Sequence, residues 1–337
     1  MGNVRILSET EVRSLVSPCE AQTAVEQAFQ DFANGISRMA ARVTVAIPNI
    51  VGNIRILPAV KVMPTPRPVP PTRGYLGVKV YTGFVGPVFK DMTKARFTVL
   101  LHDMQTGALL AVVAARYLGA LRTGAAAAVA TKFMANPGAK TLCVVGAGEQ
   151  GETQLTNLAA LLQPKRIILV DSVAENCSAL AAKLAAEGMA NIETTDNAEA
   201  AVRACDVLCT ATTSRNPFIR KEWVRPGTHI NAIGANLANR REIDPDLIKA
   251  SRVIVEYREQ ALQEAGDLVM AIQAGEITPE VIAGDLGEVV TRAKPGRQSA
   301  QEITLFKSIG VAIEDVSVAA FVYEKATSRG VGTMVDL

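Results

Sequence analysis

The chain is poor in the residues from which many enzymes build their catalytic sites. Its 337 residues include only two histidines, His102 and His229, so a site made of several histidine ligands cannot be assembled within one subunit. The five cysteines form no C-x-x-C pair, and their odd number in a chain of this size predicts reduced thiols in an intracellular protein. We therefore predict no metal site.

An excess of charge of one sign is also missing, and so is a long apolar run. Thirty-five Lys and Arg against 33 Asp and Glu leave a formal net charge of +2, which predicts no non-specific binding of nucleic acid. The most apolar stretch, residues 107–134, is interrupted by Arg116, Arg122 and Lys132, whereas a membrane span needs about 18 uninterrupted apolar residues. The N-terminus has no apolar signal segment. These absences predict a cytoplasmic protein that binds neither membranes nor nucleic acids.

The composition that remains is that of a folded protein with two domains, since 49% of the residues are apolar and 20% are charged. Two helices are predicted at the start, the first by the capping box Ser8 and Glu11 and the second by Ser17, Pro18 and Glu20. Strand-like runs follow without helices between them, which predicts an antiparallel sheet or a small barrel. These runs are Arg42–Pro48, Asn53–Met63, Gly74–Gly83, Phe97–Asp103 and Leu109–Ala114. The proline-rich residues 63–72 are expected to form a stiff loop rather than a ligand for a partner.

A different rhythm begins after an alanine-rich helix predicted for Ala115–Ala135. Apolar strands then alternate with helices, which predicts βαβ units and a doubly wound parallel sheet. The predicted elements are the strands Thr141–Val145, Arg166–Val170, Val207–Ala211, His229–Ile233 and Val253–Val255 and the helices Gln150–Leu162 and Glu175–Glu187. A last helix is expected over Ser308–Lys325.

The motif that indicates chemistry most clearly is a glycine-rich turn between a strand and a helix. Gly146, Gly148 and Gly151 have the G-x-G-x-x-G spacing of a dinucleotide-binding loop, and Asp171 ends the next strand 20 residues later. The negative charge of Asp171 would repel a 2′-phosphate, and Ser172 rather than an arginine follows it, so NAD(H) is predicted over NADP(H). The predicted cofactor contacts here are Gly146, Ala147, Gly148, Glu149, Gln150, Gly151, Asp171 and Ser172.

Three basic residues are candidates for binding a small acid. Hydride transfer to such a substrate needs a cation for the carboxylate and a proton donor near the reacting carbon. With histidine nearly absent, lysine and arginine must be considered, and Arg42, Lys79 and Arg122 stand out. Lys79 and Arg122 have apolar neighbours in the sequence, although each residue could equally be a solvated surface charge.

Over nearly its whole length the sequence resembles the ornithine cyclodeaminase/mu-crystallin family. The motifs that carry the resemblance are Gly77-Val-Lys79, Leu121–Ala125, Gly146–Gly151, Ile233–Asn236, Arg241–Asp244 and Thr304–Ser308. The resemblance implies a homodimer in which an α/β Rossmann-type domain, residues 121–308, is inserted into an α+β substrate-binding and dimerisation domain, residues 1–120 plus 309–337.

The resemblance also implies roles for single residues. Arg42 and Arg122 would hold the substrate carboxylate, and Lys79 would be the catalytic lysine beside the imine or the carboxylate. Thr123, Thr210 and Thr212 would contact the cofactor.

Two positions depart from the pattern of true ornithine cyclodeaminases. Asn236 stands where those enzymes have an acid/base aspartate, and an amide can hydrogen-bond but cannot accept a proton at neutral pH. Lys61 stands near the position where those enzymes carry an acidic residue for the distal amino group of the substrate. A lysine there would repel that amine and could attract a second carboxylate. Asn236 could also be a simple turn residue, and Lys61 a solvated strand lysine.

We therefore predict an NAD(H)-dependent oxidoreductase that reduces an imine beside a carboxylate to an L-amino acid. Arg42, Arg122 and Lys61 are the predicted substrate-binding residues, and Lys79 and Asn236 are the predicted catalytic ones. Two alternatives remain: a lyase of the ornithine cyclodeaminase type that recycles NAD within each turnover, and a non-catalytic NAD-binding protein like mu-crystallin.

Overall fold

A computed structural model describes residues 3–46, 52–62, 73–84 and 95–337 of the chain. The chain divides into two compact units, unit 1 with Met1–Arg122 and Val311–Leu337, and unit 2 with Thr123–Gly310. The sequence placed the corresponding borders after residues 120 and 308. The predicted proline-rich loop at residues 63–72 lies outside the described residues.

The strands and helices of the described residues are numbered in chain order. The strands are β1 (Asn3–Leu7), β2 (Arg38–Met39), β3 (Val43–Ala46), β4 (Gly52–Val62), β5 (Gly74–Phe84), β6 (Arg96–Asp103), β7 (Leu109–Ala114), β8 (Thr141–Val145), β9 (Arg166–Val170), β10 (Ile192–Thr195), β11 (Val207–Thr210), β12 (His229–Ala232), β13 (Ser251–Val255), β14 (Ile282–Asp285), β15 (Ile303–Lys307) and β16 (Thr333–Asp336). The helices are α1 (Glu9–Leu15), α2 (Pro18–Ala33), α3 (Arg116–Met134), α4 (Glu149–Leu162), α5 (Ala174–Ala186), α6 (Ala198–Ala204), α7 (Pro245–Lys249), α8 (Arg258–Glu264), α9 (Gly266–Gln273), α10 (Leu286–Val290) and α11 (Ala312–Arg329).

Unit 1 contains one sheet, in which the described strands lie in the order β16-β1-β7-β6-β5-β4-β2, with β3 also paired to β4. The strands predicted from the sequence pair antiparallel as expected, but β1 runs parallel to β7, so the sheet is mixed. The two capping boxes at Ser8 and Ser17 begin α1 and α2 as predicted. The expectation that the chain opens with helices is wrong, because β1 precedes them. This short strand pairs with β16 at the other end of the chain and with β7, so the partners that stabilise it are distant in sequence.

Helix α11 packs on one face of this sheet. A Cβ atom on Gly77 of β5 would lie 2.6 Å from the Cγ2 atom of Val316, so the helix and the strand approach as closely as a glycine allows. Alternate side chains point to opposite faces of a strand, so Lys79 lies on the same face as Gly77. Their neighbours along the strand, Leu76 and Val78, lie on the opposite face and are half-buried.

Unit 2 contains a parallel sheet with the strand order β10-β9-β8-β11-β12-β15-β13-β14 among the described residues. The first five strands have the 3-2-1-4-5 order of a doubly wound dinucleotide-binding fold, which confirms the predicted fold class. The sequence missed the short strands β10, β14 and β15.

The boundary of the last helix was also predicted wrongly. Residue 308 directly follows β15, and α11 begins only at Ala312, because Gly310 has a φ of +77° that a helix cannot contain. Within the described ranges, no helix combines the length and the apolar content that crossing a membrane requires.

Candidate functional site

In unit 2 the glycine-rich loop joins β8 to α4. Gly146 has a φ of +108°, and a Cβ atom there would lie 2.7 Å from the carbonyl oxygen of Ala211. A Cβ atom on Gly151 would lie only 1.8 Å from the carbonyl oxygen of Gly146. These two glycines are therefore required by the turn and by the close packing of α4 on the loop.

Gly148, the middle glycine, is different. Its φ is −84°, and no atom of the described part of the chain lies within 4 Å of the place where its Cβ would stand. Neither backbone conformation nor packing requires a glycine at this position. The remaining reason for a glycine is the close approach of a ligand to the backbone, at the start of a helix whose first N–H groups attract phosphate. Gly148 thus fits the pyrophosphate of a dinucleotide.

Asp171 follows β9 beside the same loop. Its Oδ2 atom accepts a hydrogen bond from the backbone N–H of Ala147 at 2.8 Å, and its Oδ1 atom accepts one from Val173 at 2.9 Å. These bonds fix the carboxylate at the rim of the glycine loop, where a ribose hydroxyl would need an acceptor. Ser172 is exposed next to it.

Two other predicted cofactor residues, Thr210 and Thr212, lie at the end of β11 and just after it, and the predicted catalytic residue Asn236 lies in the loop after β12. Thr210 is fully buried at the end of β11, and Thr212 is partly buried two residues later. Asn236 is exposed in the loop after β12, where its backbone N–H bonds to the carbonyl oxygen of Gly234 at 3.0 Å. Because the strands are parallel, these loops and the glycine loop all lie at the carboxyl edge of the sheet. Thr123, on α3, is 7% exposed.

A buried group of charges in unit 2 was not predicted. The Glu242 carboxylate accepts hydrogen bonds from Thr210 and Thr212, and the Asp267 carboxylate accepts one from the backbone N–H of Glu242 at 2.6 Å. Asp267 also pairs with Lys307 at 2.9 Å. Burial and the nearby charge of Asp267 raise the pKa of Glu242, whereas Lys307 and the bonds from Thr212 oppose that rise. Two of the family motifs, Arg241–Asp244 and Thr304–Ser308, contain this glutamate and this lysine, which is the signal that could have revealed them.

In unit 1, Lys79 of β5 and Arg122 of α3 share a carboxylate. Asp315 contacts Lys79 Nζ through Oδ2 at 2.6 Å and Arg122 Nε through Oδ1 at 2.9 Å. Glu314 Oε2 accepts a second hydrogen bond from Arg122, at 2.5 Å from the Nη1 atom of the guanidinium. Both cations are nearly buried, with 4% of Lys79 and 6% of Arg122 exposed, which removes the alternative that they are solvated surface charges.

Local structure explains how these charges are held. Glu314 and Asp315 lie in the first turn of α11, where the helix dipole favours negative charge. Helix α3, which carries Arg122, is fixed at its start by Glu9, whose carboxylate accepts the backbone N–H groups of Arg116 and Tyr117 at 2.7 and 3.0 Å. The sequence analysis found the two cations but neither carboxylate.

The charge state of Lys79 is set by its surroundings. Burial, followed by the positive charge of Arg122, lowers the pKa of Lys79 to about 8, although Asp315 opposes this shift. The charge of Arg42, which immediately precedes β3, lowers it further. A buried lysine with a pKa near neutral can both attract an anion and give up a proton.

Lys61 lies elsewhere on the same sheet. It is on β4, four residues beyond Leu57, which is the register partner of Lys79, so the two positions are about 13 Å apart along the strand. Burial lowers the pKa of Lys61, and the carboxylates of Asp31 and Glu324 oppose this. The structure thus places Lys61 with Asp31 and Glu324 and away from Lys79. Among the residues that the structure describes, no three His, Cys, Asp or Glu side chains are grouped to hold a metal ion.

Comparisons with known proteins identify the family of this chain. Residues 3–330 match the Ornithine cyclodeaminase/mu-crystallin family. The alanine dehydrogenase of Archaeoglobus fulgidus is 35% identical over 330 residues, which cover 98% of this chain and 97% of that protein. The Δ1-pyrroline-2-carboxylate reductase of Thermococcus litoralis, solved in complex with NADH and L-proline, superposes with a TM-score of 0.90 at 33% identity over 98% of this chain and all of the other. An archaeal alanine dehydrogenase dimer with bound NAD gives a TM-score of 0.91 at 35% identity over the whole of both chains.

The chain therefore belongs to the ornithine cyclodeaminase/mu-crystallin family, and the resemblance inferred from its motifs is confirmed.

Proposed function

We propose that the protein reduces an imine carbon that bears a carboxylate, with NADH as the reductant, and releases an L-amino acid. The observation that carries this proposal is the buried pair of Lys79 and Arg122, both bound to Asp315. The predicted reductase activity and cofactor agree with the relatives whose names and bound ligands are given above.

The cations of unit 1 perform two tasks in this reaction. The guanidinium of Arg122 is permanently charged, and Asp315 and Glu314 fix its orientation, so it can bind the substrate carboxylate without first reorganising. Arg42 adds a second positive charge close enough to affect Lys79. The carboxylate is thereby held next to the carbon that must accept the hydride.

Lys79 supplies the proton. When bound beside Gly148 and Asp171, NADH would supply the hydride for the imine carbon, with NAD+ as the oxidised product. The electron pair of the C=N bond then moves to nitrogen, which takes a proton from the ammonium Nζ atom of Lys79, and the balance is one imine, one hydride and one proton for one amine. Asp315 keeps Nζ oriented, and the lowered pKa of Lys79, about 8, lets the proton leave.

Glycine loop geometry supports NAD(H) in unit 2. Gly148 and the start of α4 fit the pyrophosphate, and Asp171 presents a carboxylate to the adenosine ribose. Thr212 and Asn236 lie in the adjacent loops, where they would line the nicotinamide side of the cofactor. Thr210, fully buried at the end of β11, supports this region through its bond to Glu242. Asn236 can hydrogen-bond there, but it does not replace the acid/base aspartate that a cyclodeaminase needs.

Oxidation of NADH tests this function. The purified protein is given pyruvate or oxaloacetate with ammonia or methylamine, and separately pyrroline-2-carboxylate, while absorbance at the NADH band is followed. We expect net oxidation with at least one of these substrates, and loss of turnover without loss of NADH affinity in Lys79→Ala. If no substrate causes oxidation of NADH and L-ornithine releases ammonia in the presence of NAD+, the proposal is overturned in favour of the lyase.

We also propose that the protein works as a homodimer in the cytoplasm. The sheet face opposite α11 is apolar and half-buried over Pro58, Val60, Leu76, Val78 and Leu100, and such a face fits a second copy of itself. A related archaeal enzyme is a dimer. The described cysteines are all free thiols, four of them buried, which suits a reducing compartment.

A further inference from the structure

We infer that Glu242 is a positioning residue that holds the loops after β11 and β12 in the shape that binds the cofactor. This inference rests on the proposed use of NADH but not on which imine is reduced. Glu242 itself is fully buried.

Both oxygens of the carboxylate are used. Oε1 accepts the backbone N–H and the hydroxyl of Thr212, each at 2.7 Å. Oε2 accepts the hydroxyl of Thr210 at 3.0 Å and the backbone N–H of Ala235 at 3.2 Å. One side chain therefore joins the loop after β11, through Thr210 and Thr212, to the loop after β12, through Ala235. An ionised carboxylate is the side chain that can accept all four bonds.

The contact extends from Thr212 to the dinucleotide loop. The peptide between Ala211 and Thr212 lies against Gly146, where a Cβ atom would be 2.7 Å from Ala211 O and 3.3 Å from Thr212 N. Any movement of Thr212 away from Glu242 would therefore change the space beside the first glycine of the cofactor motif. The position of Glu242 Oε1 in this way affects the pyrophosphate-binding turn without touching it.

Gly234 shows how tightly this contact is built. A Cβ atom on Gly234 would lie 2.2 Å from the carbonyl oxygen of Thr212 and 2.5 Å from Glu242 Oε1. Backbone atoms cannot move out of the way as the end of a flexible side chain can, so only a glycine fits between the two loops.

A second carboxylate, that of Asp267, holds the backbone at Glu242. Asp267 Oδ1 accepts the backbone N–H groups of Glu242 and Ile243 at 2.6 and 3.0 Å, and its Oδ2 atom pairs with Lys307 Nζ. Lys307 also donates to the carbonyl oxygen of Ala232, the last residue of β12. The backbone that carries Glu242 is thus fixed to the same strand whose following loop Glu242 holds.

The substitution Glu242→Gln tests this arrangement with almost no change of volume. Each carboxylate oxygen faces a backbone N–H, one from Thr212 and one from Ala235. Whichever way the amide is turned, its NH2 group meets one of these donors, and one loop loses its acceptor. Glu256→Gln is the matched control. That carboxylate is also buried, but it binds Ser308 Oγ through one oxygen and the N–H groups of Ile309 and Gly310 through the other, so an amide can satisfy all three.

The readout is the dissociation constant of NADH, measured by its fluorescence with no imine present, together with amide hydrogen exchange of the protein without cofactor. We expect Glu242→Gln to raise the dissociation constant about tenfold or more and to speed exchange at Thr212 or Ala235. Glu256→Gln should stay within about twofold of the original protein.

A second variant decides the matter if Glu242→Gln does not fold. Gly234→Ala adds a methyl group against Thr212 O and Glu242 Oε1 without changing a charge. We expect it also to weaken NADH binding about tenfold. Unchanged NADH binding in a folded Glu242→Gln or Gly234→Ala variant would overturn the inference, as would an equal loss in Glu256→Gln. An original protein that binds NADH but reduces no imine would refute the proposed function instead.

Discussion

Among single residues, Lys79 has the property that is easiest to measure. Its pKa is lowered from the usual lysine value to about 8, so it is protonated below that pH and loses its proton as the pH rises through it. If Lys79 is the proton donor, kcat/KM with a fixed imine substrate should fall about tenfold for each pH unit above 8. The measurement is a pH profile of NADH oxidation from pH 6 to 10.

Two variants test whether Lys79, rather than another group, causes the decline of kcat/KM above pH 8. Lys79→Arg keeps a charge that is not lost in this range, so it should turn over slowly and show no decline above pH 8. Lys183→Arg, in the exposed pair with Glu152, should keep the original profile. A profile that stays level up to pH 10 in the original protein would exclude Lys79 as the proton donor.

The predicted preference for NADH over NADPH can also be tested at a single position. Ser172 is exposed directly after Asp171, so Ser172→Arg would place a guanidinium where a 2′-phosphate could bind. We expect kcat/KM with NADPH to increase about tenfold, from one charge-assisted hydrogen bond, with little change for NADH. Ser178→Arg, exposed on α5, is the control that adds the same charge away from the ribose. An equal gain in both variants would mean that net charge alone is responsible.

How far these residues could be predicted depended on their neighbours in sequence. Lys79 and Arg122 stood out because apolar residues surround them, and a charge in such a segment must find a partner. The partner of Arg122 could not be identified in the same way, because Asp315 is 193 residues away. Glu242 was hidden for a similar reason, since it belongs to a polar stretch and becomes buried only when two loops close over it.

At the scale of elements, the contact between β5 and α11 determines where Lys79 meets Asp315. Gly77→Ala would place a methyl group 2.6 Å from Val316 Cγ2 and force the two elements apart. We expect the free energy of unfolding to fall by about 1–3 kcal/mol, and Val316→Ala in the same chain to restore part of it. Urea denaturation followed by circular dichroism measures both values.

Gly119→Ala provides the matched control for that substitution. Gly119 lies within α3, and among the described residues nothing outside the helix's own backbone stands within 4 Å of the place for its Cβ. Because alanine favours helix over glycine by about 1 kcal/mol, this variant should be more stable than the original protein. A loss of stability at Gly119 as large as that at Gly77 would show that the distance to α11 is not the cause.

Local patterns predicted the elements that local interactions create. Capping boxes located α1 and α2, and alternating or buried apolar runs located β5 to β9 to within a residue or two. They failed for β1, β10, β14 and β16, which have four or five residues and depend on pairing with distant strands. They also failed at Gly310, where a single left-handed residue separates a strand from α11.

For the whole molecule, the proposed dimer predicts a specific weak point. Val78→Lys would put a charge in the middle of the apolar face of β5, where a second copy would have to bury it. We expect the variant to sediment with the mass of one chain and to keep its circular dichroism spectrum. Thr23→Lys, exposed on α2, should leave the mass unchanged. A Val78→Lys variant with the mass of the original dimer would exclude this face as the interface.

The sequence was most informative about the architecture of the whole chain. A run of strands without helices, followed by alternating strands and helices, was enough to predict a first sheet that is antiparallel except at the pair of β1 and β7, and a second sheet that is parallel. The motifs distributed along the chain identified the family. What they could not supply is the pairing of charges in the interior, because that depends on the side chains that three-dimensional packing brings together.

Because the chain is synthesised from its N-terminus, the two carboxylates in the first turn of α11 are made long after the cations that they bind. Lys79 and Arg122 leave the ribosome early, whereas Glu314 and Asp315 are made only after all of unit 2. At about 5–20 residues per second, translation of unit 2 takes roughly 10–40 s, during which both cations lack their partners. A nascent chain that stalls before α11 would therefore contain unit 2 but neither carboxylate partner of Lys79 and Arg122, so the proposed substrate site forms only when the last helix is released.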